Sequence, residues 1–228
     1  MTDWKSSLRY DPTAWLLENA CASIRYRVLT ELLDRPKEDV DVQKARAELL
    51  TYAPALKLQR TQRKDGTWGG HVHAGDARKF EPSLENGLSL LYEMGWTRDN
   101  KPVKLGAAVL RTFLTAKRDL KFFEFGKPVK ADEKREKYYR WYLRTLALGL
   151  LVRGGYVDDR SRTAVLELLD LCAGFVDDPV SRHPVEEIGA SHPLIRSAVW
   201  RRDYLFLPDL HLMRVFAFSP WLLDGELA

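Results

Sequence analysis

The sequence has little cysteine and no long apolar run, and each absence excludes a class of protein. Two cysteines occur among 228 residues, Cys21 and Cys172. Both fall within amphipathic helical patterns, so we expect buried thiols in a reducing cytoplasm rather than a disulfide. No apolar stretch approaches the ~18–20 residues that span a bilayer. The segment from Met1 to Trp15 lacks the basic start and apolar core of a signal peptide.

The charges nearly balance. There are 36 Lys and Arg residues against 32 Asp and Glu residues, for a net charge of +4, and they are mostly interleaved along the chain. This pattern is typical of a solvated surface and argues against a nucleic acid partner. With 45% hydrophobic residues the chain can bury one large core, so we predict a single domain over residues 1–228.

Apolar residues recur at helical spacing along almost the whole chain, and no segment alternates as a strand does. We count about nine or ten helices. The segment Tyr138–Gly155 is apolar on almost every side and predicts a helix buried all round, beside an amphipathic segment at 161–175. Stacked pairs of this kind build helical solenoids and toroids. The predicted fold is therefore all-α, with antiparallel helix pairs in a complete or open α/α-toroid-like domain.

One glycine-rich loop interrupts the helices. Gln62, Asp65, Gly66, Trp68 and Gly69 have the spacing Q-x-x-D-G-x-W-G. We expect Gly66 to allow a tight turn between two helices. We expect Trp68 to pack over the helix junction with its N–H bonded to a carbonyl oxygen.

This loop resembles the QW motif of the squalene and terpene cyclase superfamily, which shares its α/α-toroid fold with the β-subunits of protein prenyltransferases. The segment 23–46 also resembles the N-terminal helical region of bacterial squalene-cyclase-like proteins of unassigned function. The resemblance covers residues 12–115. It implies a central cavity that accepts an apolar, isoprenoid-like molecule.

The chain departs from that family at the catalytic motifs. The D-x-D-D motif, which supplies the acid of class II cyclases, is absent, and so is a D-D-x-x-D motif for magnesium-bound diphosphate. Asp158–Asp159 and Asp177–Asp178 lack the spacing, and we interpret them as helix caps. Asp170–Cys172 matches the Asp-x-Cys zinc pair of prenyltransferases, but Cys172 lies on an apolar stripe and is interpreted as a core thiol. We therefore expect no cofactor, and catalysis is unproven.

Residues 71–76 form an H-x-H-x-x-D pattern. On an extended loop His71 and His73 would point the same way, and Asp76 could complete a metal site. Histidines that are exposed, or that tether the loop, explain the same pattern. His71, His73 and Asp76 are therefore weak metal candidates.

Ionisable residues also occur at a helix start and among aromatic residues near the C-terminal end. Glu85 begins a helix, whose positive end favours a carboxylate, and it would serve as a general acid only if burial raised its pKa. Residues 200–218 combine charges with aromatic rings, which could line a cavity and stabilise a cation. We favour the structural interpretation of that segment, in which arginine–aspartate pairs fix helix ends and the aromatic rings fill the core. The candidate catalytic residues are Glu85, Asp203 and Asp209.

Two arginines, Arg140 and Arg144, lie one turn apart on the helix predicted to be most buried. Buried arginines need carboxylate or phosphate partners. We favour a Glu or Asp from the neighbouring helix as that partner, and a ligand diphosphate is the alternative. Together with the aromatic candidates, the candidate ligand-binding residues are Trp68, Arg140, Arg144, Trp200, Tyr204 and His211.

Two functions of different classes remain. The first is binding of an apolar, isoprenoid-like ligand in a central cavity, supported by the QW-like loop and by 7 Trp, 9 Tyr and 9 Phe residues. The second is a non-catalytic helical-repeat scaffold for a protein partner, supported by the missing acid motif and the short chain. A metal-dependent hydrolase would rest on the H-x-H-x-x-D pattern alone. In each case we expect a cytoplasmic protein.

Overall fold

The protein is helical throughout the residues that its computed structural model describes. These are residues 8–73, 82–114, 133–177 and 210–223, with the backbone alone at 133–141 and 171–177. Within these ranges there are nine α-helices and no β-strand, which confirms the all-α class. None of these helices is both long and apolar enough to cross a membrane. The arrangement of the helix pairs as a toroid stays a prediction.

Six of the described helices precede residue 115. They are α1 (Thr13–Asn19), α2 (Ala22–Arg27), α3 (Val40–Leu50), α4 (Ala53–Thr61), α5 (Leu84–Glu93) and α6 (Lys101–Arg111). A π-helical turn at Val28–Leu32 continues α2, and a 3-10 turn at Thr112–Leu114 continues α6. The later helices are α7 (Glu133–Arg153), α8 (Asp159–Asp177) and α9 (Leu210–Ala217), with a 3-10 turn at Pro220–Leu223.

The helix cap predicted at Asp158 is confirmed, and a glycine, Gly95, ends α5. Gly95 has φ +81°, and beyond it the N–H of Trp96 donates to the carbonyl oxygen of Leu91 at 2.9 Å. At the start of α8 a side-chain oxygen of Asp158 accepts from the N–H and the hydroxyl of Ser161, at 3.0 and 2.9 Å. These hydrogen bonds, the backbone one above all, lower the pKa of Asp158.

The chain divides into two compact units, residues 1–62 with 89–97, and residues 63–88 with 98–228. In the first unit α2 packs against α3, and Leu29, Val42 and Ala45 form a buried cluster. An ion pair between Arg25 and Glu48 joins the same two helices. That the two units make up one domain stays a prediction.

Helix α7 is the centre of the second unit, where it contacts α6, α8 and α9. Its leucines are fully buried, as expected of a helix that is apolar on nearly every side: Leu143, Leu146, Leu148 and Leu151, each 0% exposed. The sequence prediction of a helix buried on most sides is thus confirmed. Burial of this extent stabilises the unit by about 2 kcal/mol for each leucine side chain.

The prediction of a buried thiol at Cys21 is wrong. Cys21 is exposed and lies between α1 and α2. The backbone is extended at Ala20 and Cys21, with ψ angles of 164° and 163°. These two extended residues place Cys21 in the connection between the two helices and not on the buried face of a helix. The side chain of Cys172 lies outside the described residues.

Candidate functional site

The QW-like loop folds as a tight turn at the start of the second unit. Gly66 has φ +86°, and a Cβ added there would lie 2.6 Å from the carbonyl oxygen of Leu105. Asp65 accepts hydrogen bonds from the N–H and the hydroxyl of Thr67, at 3.0 and 2.6 Å. The bond from the hydroxyl contributes most to lowering the pKa of Asp65. The predicted turn at Gly66 is confirmed, and both the φ angle and the close approach require glycine there.

Trp68, the aromatic residue of this loop, is 1% exposed and packs against α5. A Cβ added at Gly87 would lie 2.5 Å from its ring, so glycine leaves the space that the indole fills. This packing is what we expected of the loop tryptophan. It also places the ring in the core, where it supports the loop and where its position gives no support to contact with a ligand.

The backbone that follows the turn is tied to the first turn of α5. The carbonyl oxygens of His71 and Val72 accept hydrogen bonds from the N–H groups of Leu84 and Glu85, at 2.9 and 3.0 Å. The side chain of Val72 is 0% exposed, and its burial anchors the loop beside α5. The next residue, His73, is thereby brought beside Glu85.

Five side chains meet here, and we call them the polar cluster: His73, Glu85, Tyr142, His211 and Arg214. Nδ1 of His73 lies 2.6 Å from Oε2 of Glu85. A terminal guanidinium nitrogen of Arg214 donates to the other carboxylate oxygen, Oε1, at 3.4 Å. The side chain of Glu85 is 13% exposed and that of His73 is 27% exposed. Glu85 therefore uses both oxygens to hold groups from two different parts of the chain.

Tyr142 lies between the two histidines of the cluster. Its hydroxyl is 3.0 Å from Nε2 of His211 and 3.5 Å from Nδ1 of His73. The tyrosine ring also packs edge-on against both imidazoles, with centroids 4.9 Å from that of His211 and 5.4 Å from that of His73. The tyrosine thus hydrogen-bonds to His211 through its hydroxyl and packs against both imidazoles through its ring.

Close packing of α7 and α9 sets this geometry. A Cβ added at Gly149 would lie 3.2 Å from the carbonyl oxygen of His211 and 3.4 Å from Cβ of Arg214. Tyr142 and Gly149 are about two turns apart and so share a face of α7. His211 and Arg214 lie three residues apart and share a face of α9. Because residue 149 is glycine, α9 can approach α7 closely enough for His211 and Arg214 to reach the cluster.

The environment of Glu85 keeps it ionised. Burial by itself would raise its pKa, but the hydrogen bond with His73 and the charges of His73 and Arg214 outweigh burial and lower the pKa. A buried carboxylate is tolerated when it is paired in this way. The lowered pKa suits a base or a positioning group, whereas the acid role expected from the sequence needs a raised one.

His211 is in the opposite state. It is 7% exposed, and burial lowers its pKa to about 4. Arg214 acts in the same direction, and the charge of Glu85 opposes it. His211 is therefore neutral at neutral pH, and its contact with the hydroxyl of Tyr142 is a neutral hydrogen bond. The cluster thus has two parts. The charged carboxylate of Glu85 lies beside the imidazole of His73, and the hydroxyl of Tyr142 forms a neutral pair with the imidazole of His211.

This arrangement contains the parts of an acid–base site. A carboxylate bonded to Nδ1 of a neutral imidazole fixes the proton on that nitrogen and leaves the lone pair on Nε2. It also orients the ring and stabilises the cation that forms when Nε2 takes a proton. The hydroxyl of Tyr142 can donate or accept a hydrogen bond.

The metal candidates do not assemble in the part of the chain that is described. No group of three or more His, Cys, Asp or Glu residues there is arranged to hold a metal ion. His71 has a backbone role beside α5 and is not in the polar cluster. Asp76 lies outside the described residues, so the H-x-H-x-x-D pattern as a whole stays a prediction.

Arg144 has the partner that the sequence favoured. It pairs with Glu167 of the neighbouring helix α8, and its side chain is 32% exposed, so it is only partly buried. The other candidates from the sequence lie outside the described side chains: Arg140, Trp200, Asp203, Tyr204 and Asp209.

Two residues of the cluster were not selected from the sequence. Tyr142 lies in an aromatic run that we interpreted as core. Arg214 lies in a segment rich in charges, and nothing local distinguished it. The spacing of His211 and Arg214 is a usable signal, because it places two polar residues on one face of an otherwise apolar helix.

Comparisons of the chain with protein-family models, with curated proteins and with solved structures give no match. The resemblance to terpene cyclases therefore stays a prediction that rests on the QW-like loop and the segment before α4. The function has to be argued from the polar cluster.

Proposed function

We propose that the second compact unit binds a small molecule beside the polar cluster and that His73 acts on it as a general base. The contact of 2.6 Å between Nδ1 of His73 and Oε2 of Glu85 carries this proposal. The base is partly exposed, at 27%, whereas the carboxylate that orients it is 13% exposed. A general base needs both access to the substrate and a fixed orientation.

The other members of the cluster have supporting roles in this proposal. Arg214 holds the second oxygen of Glu85, so the carboxylate keeps its orientation toward His73. Tyr142 packs edge-on against His73 and limits rotation of the imidazole. His211 holds the hydroxyl of Tyr142 at 3.0 Å. His73 is thus the proposed catalytic residue, and the other four position it.

An apolar, isoprenoid-like molecule is the ligand class we propose to test first. The turn at Gly66 and the packing of Trp68 agree with the expectation for a QW-like loop. That agreement supports the resemblance, and the resemblance implies an isoprenoid ligand. A general base removes a proton from carbon only where a neighbouring carbonyl group or cationic carbon activates the C–H bond, so the ligand that we propose is an isoprenoid that carries such a group.

Native mass spectrometry of the purified protein, followed by lipid extraction, tests whether a ligand is bound. The extracted ligand, or an added isoprenoid aldehyde or ketone whose alpha C–H bonds are activated, is then incubated with the protein in D₂O. We expect deuterium to enter the ligand with the wild type and at least about a hundredfold more slowly with His73→Gln, because general base catalysis contributes about that much.

His71→Gln is the matched control, because it changes a histidine of the same loop that lies outside the cluster. It is expected to exchange as the wild type does. A protein that carries no ligand, does not bind added isoprenoids and exchanges nothing would contradict the proposal.

Exposed apolar side chains support a second candidate, the scaffold for a protein partner. Leu210 and Met213 on α9 are 65% and 54% exposed, and Phe218 just beyond is 40% exposed. Contiguous exposed apolar side chains are typical of protein interfaces. A photo-crosslinking residue in place of Met213 is expected to trap a discrete partner in cells. The same residue in place of the exposed Lys57 is the control, and equal yields at the two positions would contradict the scaffold.

A further inference from the structure

The second unit contains a separate groove of about 570 Å³ with basic walls. It lies along α6, the turn before it and the loop between α7 and α8, and its lining residues are Arg98, Asp99, Lys104, Ala107, Ala108, Arg111 and Tyr156. None of them belongs to the polar cluster. Three of these side chains are cations and one is an anion, so the groove favours a negatively charged ligand.

Small side chains on α6 form the floor. Lys104, Ala107, Ala108 and Arg111 follow one another at helical spacing, which places them on one face of the helix. The two alanines lie between two long basic side chains and leave the space that the groove occupies. An apolar floor with cationic ends suits a ligand that has a small body and an anionic group.

Two of the cations have no acidic partner among the residues that the structure describes. Neither Arg98 nor Lys104 makes an ion pair within the described ranges. Arg98 donates one hydrogen bond to the carbonyl oxygen of Gly155 at 3.0 Å, which fixes its guanidinium and uses only part of its donor set. Arg111 differs, because it pairs with Asp158.

Tyr156 adds a donor that has no acceptor. Its ring lies 5.2 Å from the guanidinium carbon of Arg111. Its hydroxyl oxygen is buried and makes no hydrogen bond within the described part of the chain. Burial raises the pKa of Tyr156, so the hydroxyl keeps its proton. A buried hydroxyl without a partner is unfavourable, and a ligand oxygen would satisfy it.

We propose that this groove binds a small molecule that carries a phosphate group. A phosphate monoester has a charge of roughly −1.5 to −2 near neutral pH and three strong acceptor oxygens. That charge is opposite to the charges of Arg98 and Lys104, which outnumber the one carboxylate of the lining, and its oxygens can accept from the hydroxyl of Tyr156. The small volume of the groove favours a metabolite-sized ligand over a polymer.

Calorimetric titration of the full chain with phenyl phosphate at constant ionic strength tests the proposal. We expect binding that inorganic phosphate competes away. Arg98→Gln and Lys104→Gln are each expected to weaken it roughly tenfold, because each removes a charge-assisted hydrogen bond.

Tyr156→Phe separates binding from folding. It keeps the ring beside Arg111 and removes only the hydroxyl, so phenyl phosphate should bind severalfold more weakly. The ligand-free variant should be as stable as the wild type or more stable, because an unpaired buried group is gone. A variant that binds as the wild type does would overturn the role of the hydroxyl and with it the proposed site.

Lys57→Gln is the matched control for charge, because Lys57 is exposed on α4 in the first unit. It should bind phenyl phosphate as the wild type does. Equal weakening by Lys57→Gln and Lys104→Gln would show general charge attraction and overturn the proposal. Absence of binding at millimolar phenyl phosphate would overturn it too. If the protein bound duplex DNA more tightly than phenyl phosphate, and Arg98→Gln and Lys104→Gln lost that binding, the ligand would be nucleic acid and the small-molecule proposal would be overturned.

Discussion

The two compact units place their charged side chains in different environments. In the first, Arg27 and Glu31 pair one turn apart with side chains 45% and 54% exposed. In the second, Glu85 is 13% exposed and His211 is 7% exposed. Solvent screens exposed pairs, which contribute about 0–1 kcal/mol each, whereas a buried carboxylate is costly unless its partners are in place. The pair Arg27–Glu31 thus lies on a solvated surface, whereas the charges of the polar cluster fix one particular arrangement.

Replacing a tryptophan is expected to give the largest difference in stability loss between the two units. Trp68 in the second unit is 1% exposed, whereas Trp15 in the first is 64% exposed. We expect Trp68→Ala to lower the free energy of unfolding by about 3–5 kcal/mol. Trp15→Ala should change it by about 0.5 kcal/mol or less. Urea denaturation of both variants measures this, and equal losses would contradict the assignment of Trp68 to the core.

The next largest difference in stability is expected at two glycines with positive φ angles, one in each unit. A Cβ added at Gly66 would lie 2.6 Å from a backbone oxygen, whereas at Gly95 it would lie 3.0 Å from the side chain of Tyr26, which can move. We expect Gly66→Ala to cost about 3 kcal/mol or more, from backbone strain and overpacking together. Gly95→Ala should cost about 1–2 kcal/mol, since the strain remains but the clash is relieved. Thermal unfolding measures both, and a larger loss at Gly95 would contradict the account of the loop.

The buried His211 makes stability depend on pH. The unfolded chain takes up this proton near pH 6.5, and the folded protein only at about pH 4. Between these values the unfolded state binds more protons, so stability falls as the pH is lowered through this window. The full loss is on the order of 3 kcal/mol, at roughly 1.4 kcal/mol for each pH unit. The lowered pKa of Glu85 adds a loss of the same sign at still lower pH.

Denaturant unfolding at a series of pH values measures this dependence. His211→Gln should flatten the curve between about pH 6.5 and pH 4, because glutamine does not titrate there. His71→Gln should keep the slope of the wild type. A wild-type slope in His211→Gln would show that another group causes the dependence.

The smallest expected effect comes from neutralising one carboxylate in each unit. Glu85→Gln keeps an oxygen that can accept from His73 but loses the charge that Arg214 needs, so it should cost about 1–2 kcal/mol. Glu31→Gln removes half of an exposed pair and should cost about 0–0.5 kcal/mol. Denaturant unfolding at neutral pH distinguishes them. If the two variants lost equal stability, the polar cluster would be no more than a surface ion pair.

Local structure could be predicted from the sequence, because its causes are local. The periodicity of apolar residues predicted the helices, and the glycine with its neighbours predicted the turn at Gly66. The same method failed at Cys21, which it placed within a helical pattern although the backbone there is extended. Apolar spacing does not fix the residue at which a helix ends.

The polar cluster could be predicted only as separate pieces. His73, Glu85 and His211 were each singled out, but for different reasons: a metal pattern, a helix start and an aromatic segment. These residues come together because α7 packs closely against α9 at Gly149. No local sequence pattern predicts that contact. Tyr142, which lies between the two histidines, was missed for the same reason.

The measurement that tests the central claim most directly is an NMR titration of the histidine side chains in the wild type and in Glu85→Gln. We expect His211 to stay neutral down to about pH 4. We also expect the Nδ1 proton of His73 to resonate far downfield in the wild type and to move upfield in Glu85→Gln, with His71 unchanged. A His211 that titrates near its usual pKa of 6.5, or a His73 proton that is unaffected by Glu85→Gln, would contradict the polar cluster and the function proposed from it.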